Sequence, residues 1–329
     1  MNKLTYHGIV LLVSLFFFGC NNSSPTGTAV EQASSQKQFV WNAMNYWYYW
    51  QAEVPDLADN RFTDSQAFQS YLNDFVDAEA VFNALLYNQE DDFSFFIDNY
   101  QTFQEGKQGI SQSFGYQYGL VRLGGNTNDI FGYVQYVLPN SPAADAGLQR
   151  GDMFLSVDGT QLTINNYLDL LRGTTSYELS LATIENNVIS ETGETVLLQA
   201  VSLEEDPIFL STVIDTNNTR IGYLMYNAFQ VNSHQNLNDV FADFQSQAVD
   251  ELILDLRYNS GGAGITSQML AGMISGLDSA NVFSRYTFND KRSSNNTSVP
   301  ILEEVPIYND QRQQVSTEPM NSLSLDRIY

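Results

Sequence analysis

The segment Glu251-Leu252-Ile253-Leu254-Asp255-Leu256-Arg257-Tyr258-Asn259-Ser260-Gly261-Gly262 carries the strongest chemical signal in the chain. Its apolar half reads as a short strand buried on both faces, and its end is a glycine turn ahead of a helix. An acyl-transfer transition state develops negative charge on a carbonyl oxygen, which backbone N–H groups in a water-poor site stabilise. A glycine turn opening a helix offers such donors, because no Cβ blocks approach. A phosphate loop is the competing use of such a turn. Neither G-x-x-x-x-G-K-[ST] nor G-x-G-x-x-G is present, which argues against it.

Nucleophiles and bases are scarce around this turn. Ser267 and Lys291 have a suitable separation, but Ser267 falls inside the helix after the turn. Lys291 lies in the polar stretch Asn289–Asn296, where it is expected to be solvated and protonated. His234 is the one histidine outside the first twenty residues, and Val231-Asn232-Ser233-His234-Gln235 reads as a surface loop or helix cap. One such histidine and one cysteine give no metal-ligand spacing, so no metal is expected.

The elements that must position the turn can be read from periodicity. Ile221 to Tyr226 reads as a strand, Asn236 to Ala248 as an amphipathic helix, and Ile265 to Ile274 as the helix after the turn. Strand, helix, strand, glycine turn, helix is an α/β layout with a parallel component. Upstream, Gln36 to Tyr87 has helical spacing, with Asp64 or Ser65 as a cap before a segment running to Leu86. The run Trp41 to Trp50 is aromatic on more than one face. It reads as a helix buried between others, with a sugar-stacking platform as the alternative. From Ile110 to about Ala200 the pattern is short strands and glycine turns. Within it, Ser141 suits a helix cap, Pro142 the first helical position, Gly147 a left-handed residue past the end, and Asp158-Gly159 a tight hairpin.

Three stretches together resemble a known family. Val134 to Gly159 resembles a PDZ domain of the circularly arranged type found in bacterial proteases. Asp255-Leu256-Arg257-Tyr258-Asn259-Ser260-Gly261-Gly262 resembles the D-L-R-x-N-x-G-G signature of the C-terminal processing peptidases, the S41 serine peptidases. Asp91-Asp92-Phe93-Ser94 resembles their D-x-F-S segment. The resemblance implies an α/β core of the crotonase/ClpP type, incomplete in this chain, with an inserted PDZ-like β-rich domain and an N-terminal helical region. The regions expected are 36–109 helical, 110–203 PDZ-like and 204–329 peptidase core. It also implies that Gly261 and Gly262 form the oxyanion hole, with Asp255, Arg257 and Asn259 shaping the turn. Tyr118, Gly119, Leu120 and Val121 resemble the loop that holds a peptide's C-terminal carboxylate, an ordinary strand-turn being the other reading. The partners implied are protein C-terminal tails, added as a strand to the sheet edge. No cofactor is implied. The family's serine and its activating lysine would follow the strand that begins near Leu323, so this chain alone is expected to be inactive. The alternative is a lipid-anchored PDZ protein that binds tails without cutting them.

Composition sets the class and the location. With 43% hydrophobic residues, 21 Phe and 19 Tyr, the chain can build real cores. Its 38 acidic against 14 basic residues give a net charge of −24, which repels phosphate backbones and argues against nucleic acid as partner. Lys3, the apolar run Ile9–Phe18 and Phe17-Phe18-Gly19-Cys20 read as a signal peptide over 1–19 with Cys20 resembling the lipidated cysteine of bacterial lipoproteins. Residues 20–35 then read as a tether. The expected location is the bacterial cell envelope, anchored to a membrane through lipid on Cys20, on the periplasmic side of the outer membrane.

Overall fold

The computed structural model describes residues 31–97, 99–100, 110–125, 127–309, 311–325 and 327–329. The signal segment, Cys20 and the tether up to residue 30 lie outside the described residues. The chain forms two compact units. One comprises the chain up to Ser94 together with Asn289–Lys291, and the other Phe95–Phe288 and Arg292–Tyr329.

The first unit is helical. Helix α1 (Ser35–Trp47) starts at Ser34, whose hydroxyl accepts from the Lys37 amide. Helices α2 (Ser65–Asn73) and α3 (Ala78–Ala84) replace the single helix expected from Asp64 to Leu86. Asp64 caps α2 at the Ala67 amide, and Asp77 restarts the helix by accepting from Ala80, both at 2.8 Å. A carboxylate bonding its own backbone competes with helix continuation, which explains the break. Val40, Trp41, Met44, Leu57, Leu72, Val81 and Leu85 form the interior. The aromatic run divides between core and surface. Trp41 and Tyr48 are buried, whereas Tyr46, Trp47 and Tyr49 are exposed, so the reading of a helix buried between others is corrected.

In the second unit, strands β1 (Ile110–Ser113) and β8 (Val201–Glu204) pair antiparallel, Ile110 opposite Glu204, and bracket a PDZ-like sheet. That sheet runs β2 (Tyr116–Arg122), β3 (Ile130–Val137), β4 (Met153–Val157), β6 (Ser176–Glu185), β7 (Val188–Gln199) in spatial order, with β5 (Thr160–Gln161) beside β4. Strand β2 is an edge. Helix α4 (Pro142–Asp145) is capped by Ser141, which accepts from Ala144 at 3.2 Å, with Pro142 at its start. Gly147 follows at φ +82°, and Asp158 and Gly159 (φ +50° and +71°) turn β4 into β5. Helix α5 (Tyr167–Leu171) lies over the sheet, and Val134, Ala143, Leu148, Phe154, Val157, Leu179 and Leu198 fill the core between.

The α/β part follows. Strand β9 (Ile208–Thr216) is antiparallel to β10 (Thr219–Tyr226), and β10 is parallel to β11 (Glu251–Asp255). Helix α6 (His234–Ser246) connects the parallel pair, and α7 (Gly264–Ser275) follows the glycine turn. Leu224, Tyr226, Leu237, Phe241, Phe244, Leu252, Met269 and Met273 form one core between sheet and helices. The hairpins β12–β13 (Val282–Tyr286, Thr297–Pro300) and β14–β15 (Glu304–Tyr308, Gln314–Pro319) come last. Ile328 then bridges Leu252 in parallel, and Tyr329 exchanges backbone hydrogen bonds with Leu252 and Leu254, both at 2.9 Å. An isolated bridge thus meets the free edge of β11, whereas Leu323 and Leu325 donate to the Met273 and Ile274 carbonyls at the end of α7, so the strand expected to begin near Leu323 is not formed there.

Candidate functional site

The turn after β11 is held by its own polar side chains. Asp255, whose side chain is 4% exposed, accepts from the Tyr223 hydroxyl (2.6 Å), the Arg257 amide (3.1 Å) and the Arg257 guanidinium (2.6 and 3.0 Å). The Arg257 hydrogen bonds, opposed by burial and helped by Tyr223, hold its carboxyl well below the usual carboxylate range. Asn259 donates to the Tyr226 carbonyl (2.9 Å) and accepts from the Gly261 amide (2.7 Å). These three residues staple the turn to the end of β10, which is the shaping role the resemblance implies.

The two glycines differ sharply. Gly261 has φ +93° with open space where a Cβ would stand. Gly262 has φ +136°, and a Cβ there would lie 2.3 Å from the Phe229 carbonyl oxygen. Phe229 clamps the turn from both sides, its N–H donating to Gly261 O (2.8 Å) and its carbonyl accepting from Ala263 N (2.7 Å). Only glycine fits at 262. The Gly261 amide already serves Asn259, so the pair does not present two open donors. Among the described residues the Gly262 amide has no hydrogen-bond partner, and Gly262 is exposed. It precedes Ala263, the N-cap residue of the 12-residue helix α7, which has no side-chain cap hydrogen bond. An uncapped helix start carries partial positive charge, which favours an anion near it.

The PDZ-like sheet meets this turn through Tyr258, a position the sequence reading passed over. Its ring packs on Tyr136 of β3, centroids 5.5 Å apart, and the Arg150 guanidinium lies 5.6 Å from its centre. Tyr136 also packs on Phe209 and donates from its hydroxyl to Glu205 at 3.0 Å, in the connection between β8 and β9. Burial pushes the Glu205 carboxyl up, partly offset by the bond from Tyr136. Asn227 closes the junction through its backbone, its N–H donating to Pro207 and its carbonyl accepting from Ser260. Nothing in the linear pattern brings these residues together, because their partners lie tens of positions away.

Tyr118, Gly119, Leu120 and Val121 do not form a loop. They occupy the middle of β2, opposite Val134, Tyr133, Gly132 and Phe131. A Cβ on Gly119 would fall 2.4 Å from the Tyr133 ring, so glycine here seats that ring against the strand. The segment instead supplies the open edge of the sheet, with Tyr118 and Leu120 packed towards Tyr167 and Leu170 in the same core cluster.

His234 is corrected from surface loop to buried residue. It is 1% exposed at the start of α6, with Nδ1 2.7 Å from the Pro306 carbonyl and Nε2 2.7 Å from the Thr266 hydroxyl. A carbonyl only accepts, so Nδ1 carries the proton and Nε2 accepts from Thr266. The imidazole ties α6, α7 and β14 together, and burial lowers its pKa. Ser267 lies in α7, its hydroxyl donating to Gly264 O (2.8 Å). Lys291 is paired with Asp59 in the helical unit rather than solvated in a polar loop. Both side chains are committed locally, and neither is arranged as nucleophile or base. Among the described residues no cluster of three or more His, Cys, Asp or Glu could hold a metal ion. No described helix is long and apolar enough to cross a membrane.

Comparisons with known proteins match three stretches of the chain. The family model of the peptidase S41 N-terminal domain matches residues 35–95, that of the PDZ domain 133–182, and that of peptidase family S41 220–319. The chain is 29% identical over 132 residues to a carboxyl-terminal-processing protease of Picosynechococcus sp., covering 38% of this chain and 30% of that protein. It is 28% identical over 128 residues to the protein of the same name from Synechocystis sp., again covering 38% and 30%. The match therefore spans about a third of the length of these curated relatives. A crystal structure of an S41 protease from Bacteroides fragilis shares the fold with a TM-score of 0.58 at 24% identity, over 88% of this chain and 70% of that one. The chain thus carries matches to the N-terminal, PDZ and peptidase domains of S41 peptidases in that order.

Proposed function

We propose that this chain supplies the tail-binding sheet and the oxyanion-binding turn of a serine-type C-terminal processing peptidase, anchored in the bacterial cell envelope through lipid on Cys20. The single observation that carries the reading is the Gly262 amide, open beside an uncapped helix and clamped by Phe229 where no other residue fits. A substrate's C-terminal segment would add to the open edge of β2, where main-chain hydrogen bonds give affinity and the groove towards α5 reads side chains. The scissile carbonyl would place its developing charge on Gly262 N–H, and the acyl-enzyme would form on a serine beyond Tyr329. The register supports that position. Ile328 stands opposite Leu252, so a continuing strand reaches the level of Asp255, where the turn begins, three residues on. On this reading the 329-residue chain binds tails and does not cleave them. Nucleic acid plays no part, given the charge of −24.

The test is fluorescence anisotropy with a labelled peptide ending in a free apolar carboxylate, against the same peptide amidated. Tighter binding of the free acid by tenfold or more is expected, and Tyr118→Pro, which removes an amide from the edge strand, should abolish the difference. Equal binding of both peptides would overturn the tail-binding part of the proposal.

A further inference from the structure

Helix α1 has an outward face unlike the rest of the molecule. Phe39 is 70% exposed, Tyr46 49% and Trp47 59%. At 3.6 residues per turn, Phe39, Ala43, Tyr46 and Trp47 share one side, with the uncharged Ser35, Gln36 and Asn42 around them. The opposite side, Val40, Trp41 and Met44, is the buried one. Solvent faces of helices in soluble proteins normally carry charge. Here the only charged side chain from Gln32 to Ala52 is Lys37, whose ammonium donates to the Phe75 carbonyl at 2.6 Å. This occurs in a chain with 38 acidic residues. Tyr49, in the turn after α1, extends the patch at 52% exposure.

We propose that this face of α1 is a membrane-contact surface, seated at the headgroup level of a zwitterionic bilayer. The proposal rests on the reading of Cys20 as the lipid attachment site. Tyr and Trp favour that level because an apolar ring carries a polar group that stays wet. Among the described residues α1 is the first helix after Cys20. Ser35 lies fifteen positions after Cys20, so even fully extended the connection keeps the helix start within roughly 50 Å of the lipid. Contact at this face would fix the orientation of the helical unit on the membrane.

The chain reports on its own face, because all three tryptophans, Trp41, Trp47 and Trp50, lie in or next to α1, and Trp47 is the exposed one. The lipidated 329-residue protein is reconstituted in phosphatidylcholine vesicles with plain or brominated acyl chains. The expected result is loss of roughly a third of the tryptophan emission in brominated vesicles, the share of one indole in three placed at the interface. Trp47→Phe should remove that loss. The double variant Phe39→Ser/Tyr46→Ser should reduce it while flotation with vesicles persists through the lipid. Flotation with unchanged emission overturns the contact surface and leaves the anchor standing. If the wild-type chain and Cys20→Ser both stay off vesicles, the anchor reading fails. The Cys20→Ser chain at excess lipid then decides the surface, quenching supporting it and unchanged emission overturning it. A doubling of mass in solution with no lipid response assigns the face to a second copy. Quenching by soluble glycans with no lipid response assigns it to sugar. Either result overturns the proposal.

Discussion

Replacing Gly262 with alanine should damage the molecule far more than the same change at Gly261, although the two are adjacent and both have positive φ. At 261 the new methyl meets open space, so the cost is that of a strained backbone, about 1–2 kcal/mol. At 262 the strain is joined by a methyl 2.3 Å from the Phe229 carbonyl oxygen, a backbone atom that cannot swing away. Phe229 must retreat, which breaks its bonds to Gly261 O and Ala263 N. Each is worth roughly 0.5–1.5 kcal/mol net. The total for Gly262→Ala is about 2–5 kcal/mol, so the two variants should differ by about 2 kcal/mol. With a urea slope of about 3 kcal/mol/M, that separates their midpoints by roughly 0.7 M. The assay has an internal control. All three tryptophans belong to the helical unit, so tryptophan emission follows that unit alone, while far-UV circular dichroism and tyrosine signals also report the second. The tryptophan transition should stay in place in both variants. Equal loss at 261 and 262 would show that Phe229 does not clamp the turn and would refute the reasoning.

Three other perturbations have signs fixed by the structure. Burial depresses the His234 pKa, so its neutral form contributes stability that is complete above the unfolded value of about 6.5 and is lost as pH falls through the folded value. His234→Gln should flatten the stability profile just below pH 6.5 in urea titrations, and an unchanged slope would contradict the buried bridge. Glu205 has the opposite sense. Its folded pKa is raised, so its stabilising contribution is present below the unfolded pKa and is lost as pH rises through the folded one. Glu205→Gln should therefore hold stability better than wild type between acid and neutral pH, and a uniform loss at every pH would contradict this. Asp255→Asn removes a buried acceptor of charge-assisted bonds and should cost about 1.5–3 kcal/mol by urea denaturation. A change within error would mean that Arg257 and Tyr223 do not depend on Asp255.

The parts legible in the sequence were those set by local chemistry. Ser141-Pro142, Gly147 and Asp158-Gly159 each behave as their residue types require, because cap, helix end and hairpin are decided within a few positions. The strand-turn-helix from Glu251 to Ser275 was readable for the same reason, its apolar run and glycine pair being contiguous. Long-range contacts were not. His234 looked like a surface residue among polar neighbours, but Thr266 and Pro306 bury it. Gly119 falls in a segment resembling a carboxylate-binding loop, and only the β2–β3 register shows it in mid-strand against the Tyr133 ring. Gly261 and Gly262 were indistinguishable as letters. Their separation into one occupied and one open amide depends on the Asn259 side chain and on Phe229, a residue thirty positions upstream.

The claim that this turn serves acyl transfer is tested most directly by reading the native gene past the codon for Tyr329. A strand continuing beside β11 at about 3.3 Å per residue passes the turn within a few positions. The account predicts an open frame with a serine within roughly fifteen residues, followed by a lysine about twenty-five further on. A stop codon directly after Tyr329 would contradict it and leave a lipid-anchored protein that binds peptide tails without cutting them.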